Sequence, residues 1–253
     1  MRAIVAICMT FLCALSWGNA QAGTRQSLVV PTPNGKILIE CFAECTKAGH
    51  PTVLILSGSK GFGSTAYDEI GQEFVDAGLD AYLVHYLAPA DLNAIANAGS
   101  SPARVRYYKA RQSQWIAQVQ GVVSYFNARQ RKLGQVGVLG ISLGAEIAAA
   151  ASANRTDIGA LVLVDGTFPE GYSQPVHSLP PLHLIWGGAD RTFPLSVGLD
   201  LQRQAQQLGG TVSLNVYKEC SHDFFLRTEI PQAQSAHVDT ARFLLSQLST
   251  AGR

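Results

Sequence analysis

Apolar residues in this chain occur in short continuous runs that alternate with longer segments of helical spacing. Most of the runs are rich in Val, Ile, Leu and Ala, which is typical of strands covered by helices on both faces of a sheet. The predicted strands are 52–56, 80–86, 136–141, 160–164, 182–186 and 211–217. The predicted helices with apolar residues every three or four positions are 67–77, 104–127, 195–208 and 232–248. The alternation predicts an α/β fold with a mostly parallel sheet, right-handed crossovers and helices on both faces.

The remaining segments follow other patterns. Two strand-like runs at 27–30 and 36–42 flank the sequence PTPNG, whose Asn-Gly pair is a strong signal for a hairpin turn. We therefore expect an N-terminal antiparallel hairpin at the edge of the sheet. The segment 87–101 is predicted as a long connection with one short helix that forms part of the pocket wall, and 167–181 is predicted as a loop.

A specific motif occurs at 136–153, where an apolar run meets Gly-Ile-Ser-Leu-Gly and an alanine-rich helical segment follows. In such a strand, turn and helix, a G-x-S-x-G motif holds its serine in strained backbone, and the glycines avoid clashes between strand and helix. The hydroxyl of Ser142 is then exposed, and the N–H of Leu143 lies at a helix N-terminus, where a developing oxyanion is favoured. A glycine-rich connection with a capping serine is the structural alternative, and the context on both sides favours a nucleophile.

A serine hydroxyl is a poor nucleophile at neutral pH and needs a histidine that a carboxylate orients. Asp190 follows a predicted strand 48 residues after Ser142, and His222 lies 32 residues further on, in the loop after the next strand. This order and the shared edge of a parallel sheet predict a Ser-Asp-His triad. Asp165 also follows a strand end and is the alternative acid.

Other chemically capable residues are assigned structural roles. Asp223, beside the histidine, is predicted to be solvated or part of a turn, and Glu146 to be a first-turn acid favoured by the helix dipole. Cys220 is predicted to be a packed or disulfide-linked thiol. His177 lies in a predicted loop and can line the pocket. The remaining histidines are predicted to lie away from the site: His50, His85, His183 and His237.

The glycine-rich segment 57–63 (SGSKGFG) follows the first buried strand, where this architecture supplies a second oxyanion donor. The N–H of Ser59 is the predicted donor, with that of Lys60 as the alternative one residue further on; a flexible connector is the structural alternative. Attack of Ser142 on an ester carbonyl, with His222 as the base, requires no metal or organic cofactor.

The composition indicates one domain, predicted at 23–253, and a small-molecule substrate. The 253 residues, 47% of them hydrophobic, suit one large α/β domain with a sizeable core. A net charge of +1, with 15% charged residues and no basic block, gives no electrostatic surface for nucleic acid. The expected assembly is a monomer or a homodimer.

Residues 1–22 have the pattern of a secretory signal peptide, with Arg2, an apolar segment at 4–15 and small residues at the cleavage positions. We expect the mature chain to start at Gln21 or Gly23 and to be secreted or periplasmic, without integral membrane association. A retained anchor is the alternative.

Three cysteines remain after cleavage, Cys41, Cys45 and Cys220, in what is predicted to be an oxidising compartment. Cys41 and Cys45 can form a disulfide only if the chain turns between them, because five extended residues would hold their Cα atoms ~13 Å apart. The sequence leaves this bridge open. The C-x₃-C spacing without a histidine pair does not indicate a zinc site.

The residues around the candidate triad resemble the α/β-hydrolase superfamily, near its dienelactone hydrolase branch. The motifs that carry the resemblance are GISLGAE at 140–146, GGAD at 187–190 and SHDF at 221–224. Segments 138–149 and 57–61 are also similar to the catalytic domain of the acyl-CoA thioesterase and bile acid acyltransferase family. The similarity covers most of 27–250 and implies an α/β-hydrolase fold. Dienelactone hydrolases proper carry cysteine at the nucleophile position, where this chain has Ser142.

The predicted function is therefore an exported serine hydrolase that cleaves a carboxylic ester through an acyl-enzyme on Ser142. A thioesterase, an acyltransferase or a peptidase built on the same triad is the second hypothesis. The third is a non-catalytic binding module, which predicts an occluded Ser142 or a His222 ring that faces away from it.

Overall fold

The computed structural model describes residues 25–42, 45, 49–129 and 135–249. The predicted signal peptide at 1–22 and its cleavage positions lie outside the described residues. None of the helices within these ranges has both the length and the apolar character that a membrane crossing needs.

Within the described residues the structure is an eight-stranded sheet with six α-helices. The strands are β1 Gln26–Thr32, β2 Gly35–Cys41, β3 Thr52–Leu56, β4 Asp80–Val84, β5 Val136–Ile141, β6 Ile158–Val164, β7 Leu182–Gly187 and β8 Val212–Tyr217. The helices are α1 Ala66–Asp76, α2 Pro89–Ala96, α3 Ser101–Arg129, α4 Leu143–Ser152, α5 Leu195–Gln207 and α6 Pro231–Leu248, with a short 3₁₀ helix at Phe224–Leu226.

The strands follow the order β1-β2-β4-β3-β5-β6-β7-β8. From β4 to β8 every neighbouring pair is parallel, whereas β1 and β2 form the predicted antiparallel hairpin, and β2 pairs antiparallel with β4. The α/β fold predicted from the sequence is confirmed. Parallel neighbours direct their carboxyl ends to one edge of the sheet, and this edge carries the candidate site.

Apolar packing on the two faces of the sheet explains the continuous apolar runs. All five residues of β3 and all six of β5 are buried. Helices α3, α4 and α5 contribute to the core on one face, and α1 and α6 contribute to the core on the other. In α3 the predicted stripe is buried, as Trp115, Val119, Val122, Val123 and Phe126.

The structure differs from the predicted pattern at several element ends and in one loop. Strand β4 ends at Val84 rather than at Tyr86, since the N–H of Tyr86 turns back to the carbonyl of Val84 at 2.8 Å. Helix α3 is longer than predicted at both ends. The loop that contains His222 includes the 3₁₀ helix Phe224–Leu226, which the sequence pattern did not indicate.

The disulfide that the sequence left open is formed between Cys41 and Cys45, whose Cα atoms lie 5.6 Å apart. This separation is within disulfide reach and far shorter than the ~13 Å expected of an extended chain. Cys220 is free and buried, and burial raises the pKa of its thiol, as expected for a packed rather than a reactive cysteine.

Candidate active site

Ser142 occupies the turn between β5 and α4 in strained backbone. Its φ of 55° and ψ of −118° lie in a region that costs a non-glycine residue on the order of 1–3 kcal/mol. The N–H of Ser142 donates to the carbonyl of Val164 in β6 at 2.9 Å. A Cβ on Gly140 would lie 2.6 Å from the Cα of Ala145, and one on Gly144 would lie 2.6 Å from the carbonyl oxygen of Ser57. The two glycines therefore allow the close strand and helix contact that the motif predicts.

His222 bridges Ser142 and Asp190. The Oγ of Ser142 lies 2.8 Å from Nε2 of His222, and Nδ1 of His222 lies 2.7 Å from Oδ2 of Asp190. An ionised carboxylate only accepts hydrogen bonds, so Nδ1 carries the ring proton and Nε2 of a neutral ring can accept the proton of the serine. The structure thus brings together the three residues that the sequence placed at one sheet edge.

The loop between β7 and α5 fixes the carboxylate of Asp190. Its Oδ1 accepts hydrogen bonds from the backbone N–H groups of Thr192 at 2.7 Å and Phe193 at 2.9 Å, which leaves Oδ2 for His222. The Asp190 side chain is 0% exposed and that of His222 is 17% exposed. The ring of Phe193 packs near the imidazole, with the ring centroids 5.7 Å apart. The imidazole is therefore held on one side while its Nε2 remains near the surface.

The glycine-rich loop after β3 passes beside the nucleophile. A Cβ on Gly58 would lie 3.6 Å from the Cβ of Ser142. Ser59, the predicted second oxyanion donor, follows Gly58 directly, and Leu143, the predicted first donor, is the first residue of α4. Lys60 comes next in the same loop. The structure therefore places the predicted donor segments on either side of Ser142.

Two buried tyrosines hold this loop, and the sequence analysis did not identify them. The N–H of Gly58 donates to the hydroxyl of Tyr67 at 3.2 Å, and the hydroxyl of Tyr86 donates to the carbonyl of Ser57 at 2.8 Å. Burial raises the pKa of Tyr67 to about 12, so its hydroxyl remains neutral. Their apolar surroundings make both residues look like ordinary core positions in the sequence.

Asp165, the alternative acid, does not contact the imidazole. It follows β6 in the left-handed region, with a φ of 47°, and its Oδ1 accepts a hydrogen bond from the N–H of Gly187 at 2.8 Å. Asp190 is therefore the acid that His222 contacts. Asp165 nevertheless lies close to the pair, because oxygens of both aspartates and a ring nitrogen of His222 are all within 4.8 Å of one another.

Glu146 lies in the first turn of α4, as predicted, but helix-dipole stabilisation does not decide its charge. Burial, with a smaller contribution from Glu170, raises the pKa of Glu146 to about 8, so the carboxyl is mostly protonated at neutral pH. Nearby, the hydroxyl of Tyr108 lies close to the side chain of Ser59, and Lys109 forms a 2.7 Å ion pair with Glu170. The side chains of Tyr108 and Lys109 come from α3, and that of Glu170 comes from the 167–181 loop.

The segment predicted as part of the pocket wall covers the glycine-rich loop. It contains the short helix α2, and the side chain of Leu92 in that helix contacts Gly61. His177 is exposed in the 167–181 loop, where its backbone N–H donates to the side chain of Asn154 at 2.7 Å.

The other histidines have partners outside the site, as predicted. His183 hydrogen-bonds to Ser213 at 2.7 Å, and burial lowers its pKa. His237 in α6 contacts Glu73 through Nδ1 at 2.7 Å and the carbonyl of Phe225 through Nε2 at 2.8 Å. His50 forms a hydrogen bond with Asp80, and His85 forms one with Glu40.

The comparisons with known proteins agree with this geometry. The model of the dienelactone hydrolase family matches residues 40–250. No curated protein matches the sequence.

Solved structures share the fold of the chain. A dienelactone hydrolase from Anabaena variabilis ATCC 29413 is 18% identical, with a TM-score of 0.69 over 90% of this chain and 100% of that one. An esterase from Pyrobaculum calidifontis is 16% identical, with a TM-score of 0.67 over 90% of this chain and 86% of that one. The acylaminoacyl peptidase of Pyrococcus horikoshii is 13% identical, with a TM-score of 0.65 over 91% of this chain and 42% of that one. At such identities the likeness shows the α/β-hydrolase fold.

Proposed function

The chain belongs to the dienelactone hydrolase family, and on this premise we propose that it is an exported serine hydrolase that cleaves a carboxylic ester. One observation carries the proposal. The Oγ of Ser142 lies 2.8 Å from Nε2 of His222, whose Nδ1 lies 2.7 Å from Asp190. A binding module that had lost catalysis would not need a strained serine in contact with an oriented imidazole.

In the proposed reaction Ser142 Oγ attacks the ester carbonyl while its proton moves to Nε2 of His222. Asp190 holds the imidazole and stabilises its positive charge. The N–H groups of Leu143 and of Ser59, with Lys60 as the alternative to Ser59, donate to the oxyanion, and each such donor lowers the barrier by about 2.7–4 kcal/mol in comparable sites.

The tetrahedral intermediate then collapses to the acyl-enzyme. The bond to the alcohol oxygen breaks, and the imidazolium returns its proton to the leaving alcohol. A water molecule attacks the acyl-enzyme, with its proton going to His222, and releases the acid and free Ser142. The reaction as proposed uses only these side chains, backbone donors and water.

Two features support export. Residues 1–22 have the composition of a secretory signal peptide, and Cys41 and Cys45 form a disulfide in the described structure. Disulfides persist in oxidising compartments and are rare in the bacterial cytosol. We therefore place the mature enzyme in the periplasm or outside the cell.

The test is labelling of the purified mature protein with a fluorophosphonate, together with hydrolysis of p-nitrophenyl acetate. Ser142→Ala should abolish labelling and lower the rate by at least about 10⁴-fold. Ser196→Ala, which removes an exposed serine of α5, is the matched control and should label and turn over like the native protein. Absence of labelling in a folded native protein, or labelling that persists in Ser142→Ala, would contradict the proposal.

A panel of substrates tests the ester assignment separately. We expect p-nitrophenyl esters to be hydrolysed with a higher kcat/KM than acyl thioesters or aminoacyl amides of matched acyl group. A preference for thioesters or amides, with Ser142 still required, would replace the esterase assignment by a thioesterase or peptidase assignment and leave the triad unchanged.

A further inference from the structure

A third carboxyl group lies in the catalytic centre without a role in the reaction described above. Asp165 follows β6, the strand between those that precede Ser142 and Asp190, and is 0% exposed. One of its oxygens lies within 4.8 Å of both an oxygen of Asp190 and a ring nitrogen of His222. Asp165 thus lies beside the acid and the imidazole and is itself fully buried.

Only one of the two carboxyl oxygens of Asp165 is satisfied. Oδ1 accepts the N–H of Gly187 at 2.8 Å, whereas Oδ2 is buried and has no hydrogen-bond partner among the described residues. A buried carboxyl oxygen without a partner is unfavourable by about 1–3 kcal/mol, and the left-handed backbone of Asp165 adds to this cost. Such a combination in a site that is otherwise well hydrogen-bonded indicates a function rather than packing.

Burial, together with the neighbouring Asp190 and Asp223, raises the pKa of Asp165 to about 8. The hydrogen bond from Gly187 lowers this pKa but does not offset the effect of burial. Asp165 is therefore mostly protonated at neutral pH while Asp190 holds His222. The titratable groups that face it are Asp190 from the β7–α5 loop, and Cys220, His222 and Asp223 from the β8–α6 loop.

We propose that Asp165 is a positioning residue, a reserve acid whose free Oδ2 holds the imidazole of His222 when the carboxylate of Asp190 is absent. The inference rests on the proposed function of the triad. An oxygen of Asp165 already lies within 4.8 Å of a ring nitrogen of His222, so the carboxyl group must close at most about 2 Å to reach hydrogen-bond contact. Rotation of the side chain and a small backbone shift suffice for this. Since an ionised carboxylate must accept the Nδ1 proton, Asp165 acts in this role only after it has lost its own proton.

The experiment is a double-mutant cycle on p-nitrophenyl acetate hydrolysis. Loss of a triad acid in a serine hydrolase typically lowers kcat by about 10⁴-fold. We expect Asp190→Asn to lower kcat by only about 10²- to 10³-fold, and the added Asp165→Asn to lower it at least about tenfold further, to the full loss. The factor by which Asp165→Asn lowers kcat should be at least about tenfold smaller in the native background than in the Asp190→Asn background.

Asp223→Asn in the Asp190→Asn background is the matched control, because Asp223 is an exposed carboxylate directly beside His222. It should not lower the rate of the Asp190→Asn variant, because the charge of Asp223 helps to raise the pKa of Asp165 and its removal favours the ionised form. An additive cycle for Asp165, or an Asp223 substitution that lowers the rate as much as the Asp165 substitution, overturns the inference.

The pH profile gives a readout that a purely structural role would not produce. In Asp190→Asn, kcat should show a second ionisation in addition to that of His222, with the rate rising as Asp165 loses its proton. The midpoint should lie below pH 8, since the charge of Asp190 that helps to raise the pKa of Asp165 is removed. A profile with a single ionisation overturns the inference even if the double variant does not fold.

Failure of the inference differs from failure of the proposed function. If Ser142→Ala abolishes hydrolysis but the cycle is additive, the triad stands and Asp165 has no reserve role. If Ser142→Ala hydrolyses the ester like the native protein, the proposed function itself is wrong.

Discussion

Two aspartates of this protein are buried to the same degree but differ in charge. Asp91, in the first turn of α2, is 2% exposed, and Asp165 is 0% exposed. Asp91 accepts hydrogen bonds from Tyr107 at 2.7 Å, Arg111 at 2.8 Å, Trp115 at 3.1 Å and the N–H of Ala88 at 3.0 Å. Burial alone would raise the pKa of Asp91, but these donors, Arg111 first among them, lower it below the ordinary value.

Asp165 has one donor, Gly187, and burial raises its pKa to about 8. The comparison shows that several donors, one of them charged, can outweigh the effect of burial on a carboxyl, whereas a single backbone donor does not. Asp91, with its donors from α3, joins two helices above the glycine-rich loop. Asp165 lacks such donors and lies at the centre of the candidate active site, which is where perturbed carboxyl groups are expected in enzymes.

The largest effect that this comparison predicts is on the stability of the Asp91→Ala variant. The substitution leaves Arg111 without its anion and three further donors unsatisfied, so the free energy of unfolding should fall by about 3–5 kcal/mol at pH 7. Urea denaturation of the native protein and the variant measures this difference in the free energy of unfolding. Asp200→Ala, which breaks an exposed ion pair with Arg203, is the control and should change stability by at most about 0.5 kcal/mol. Equal losses in the two variants would show that the Asp91 network stabilises nothing.

The Asp91 network also shows what could not be predicted from the sequence. Its donors Tyr107, Arg111 and Trp115 lie 16, 20 and 24 residues further along the chain, and their convergence depends on how α3 packs against α2. No periodic pattern encodes that packing. The sequence left the disulfide between Cys41 and Cys45 open for a similar reason, because no sequence pattern fixes whether their Cα atoms approach to 5.6 Å.

The fold and the three candidate catalytic residues could both be predicted from the sequence, for different reasons. A strand buried on both faces must be apolar throughout, so β3 and β5 are visible in the sequence itself. Ser142, Asp190 and His222 each follow a strand, and the parallel sheet brings strand ends together without any need to know side-chain packing. The tyrosines that hold the glycine-rich loop act through their hydroxyls, which hydrophobic patterns do not report.

A pH-dependent effect is expected for Asp165→Asn, and it distinguishes the two aspartates. The folded-state pKa of about 8 exceeds the ordinary value of 3.8, so the folded protein binds an extra proton between these pH values. Native stability is therefore lost as the pH rises from about 4 to about 8, and the variant lacks this loss. Relative to the native protein, Asp165→Asn should gain stability by about 1.4 kcal/mol per pH unit through the middle of this window and then level off.

Asp91→Asn is the contrasting variant in the same urea experiments. The pKa of Asp91 is lowered in the folded state, so its ionised form stabilises the protein above its unfolded pKa of 3.8, and the stabilisation is lost only as the pH falls further. The difference between native and Asp91→Asn should thus stay constant from about pH 5 to pH 9. If the Asp165→Asn difference were equally constant, Asp165 would be ionised throughout, and the contrast between the two residues would disappear.

The smallest effect is expected when Asp91 loses a single donor. Tyr107→Phe removes the 2.7 Å hydrogen bond to Oδ1 but leaves Arg111, Trp115 and the backbone donor in place, so the unfolding free energy should fall by about 1–2 kcal/mol. Tyr125→Phe is the control, because the ring of Tyr125 lies against Phe126 and Arg129 in the same helix. The free energy of unfolding of this variant should fall by less than about 0.5 kcal/mol. In the Asp91→Asn background the cost of Tyr107→Phe should shrink, since the hydroxyl then bonds to a neutral acceptor. An undiminished cost would mean that the Tyr107 hydroxyl stabilises the protein independently of the charge on Asp91 and that fewer donors than supposed keep Asp91 ionised.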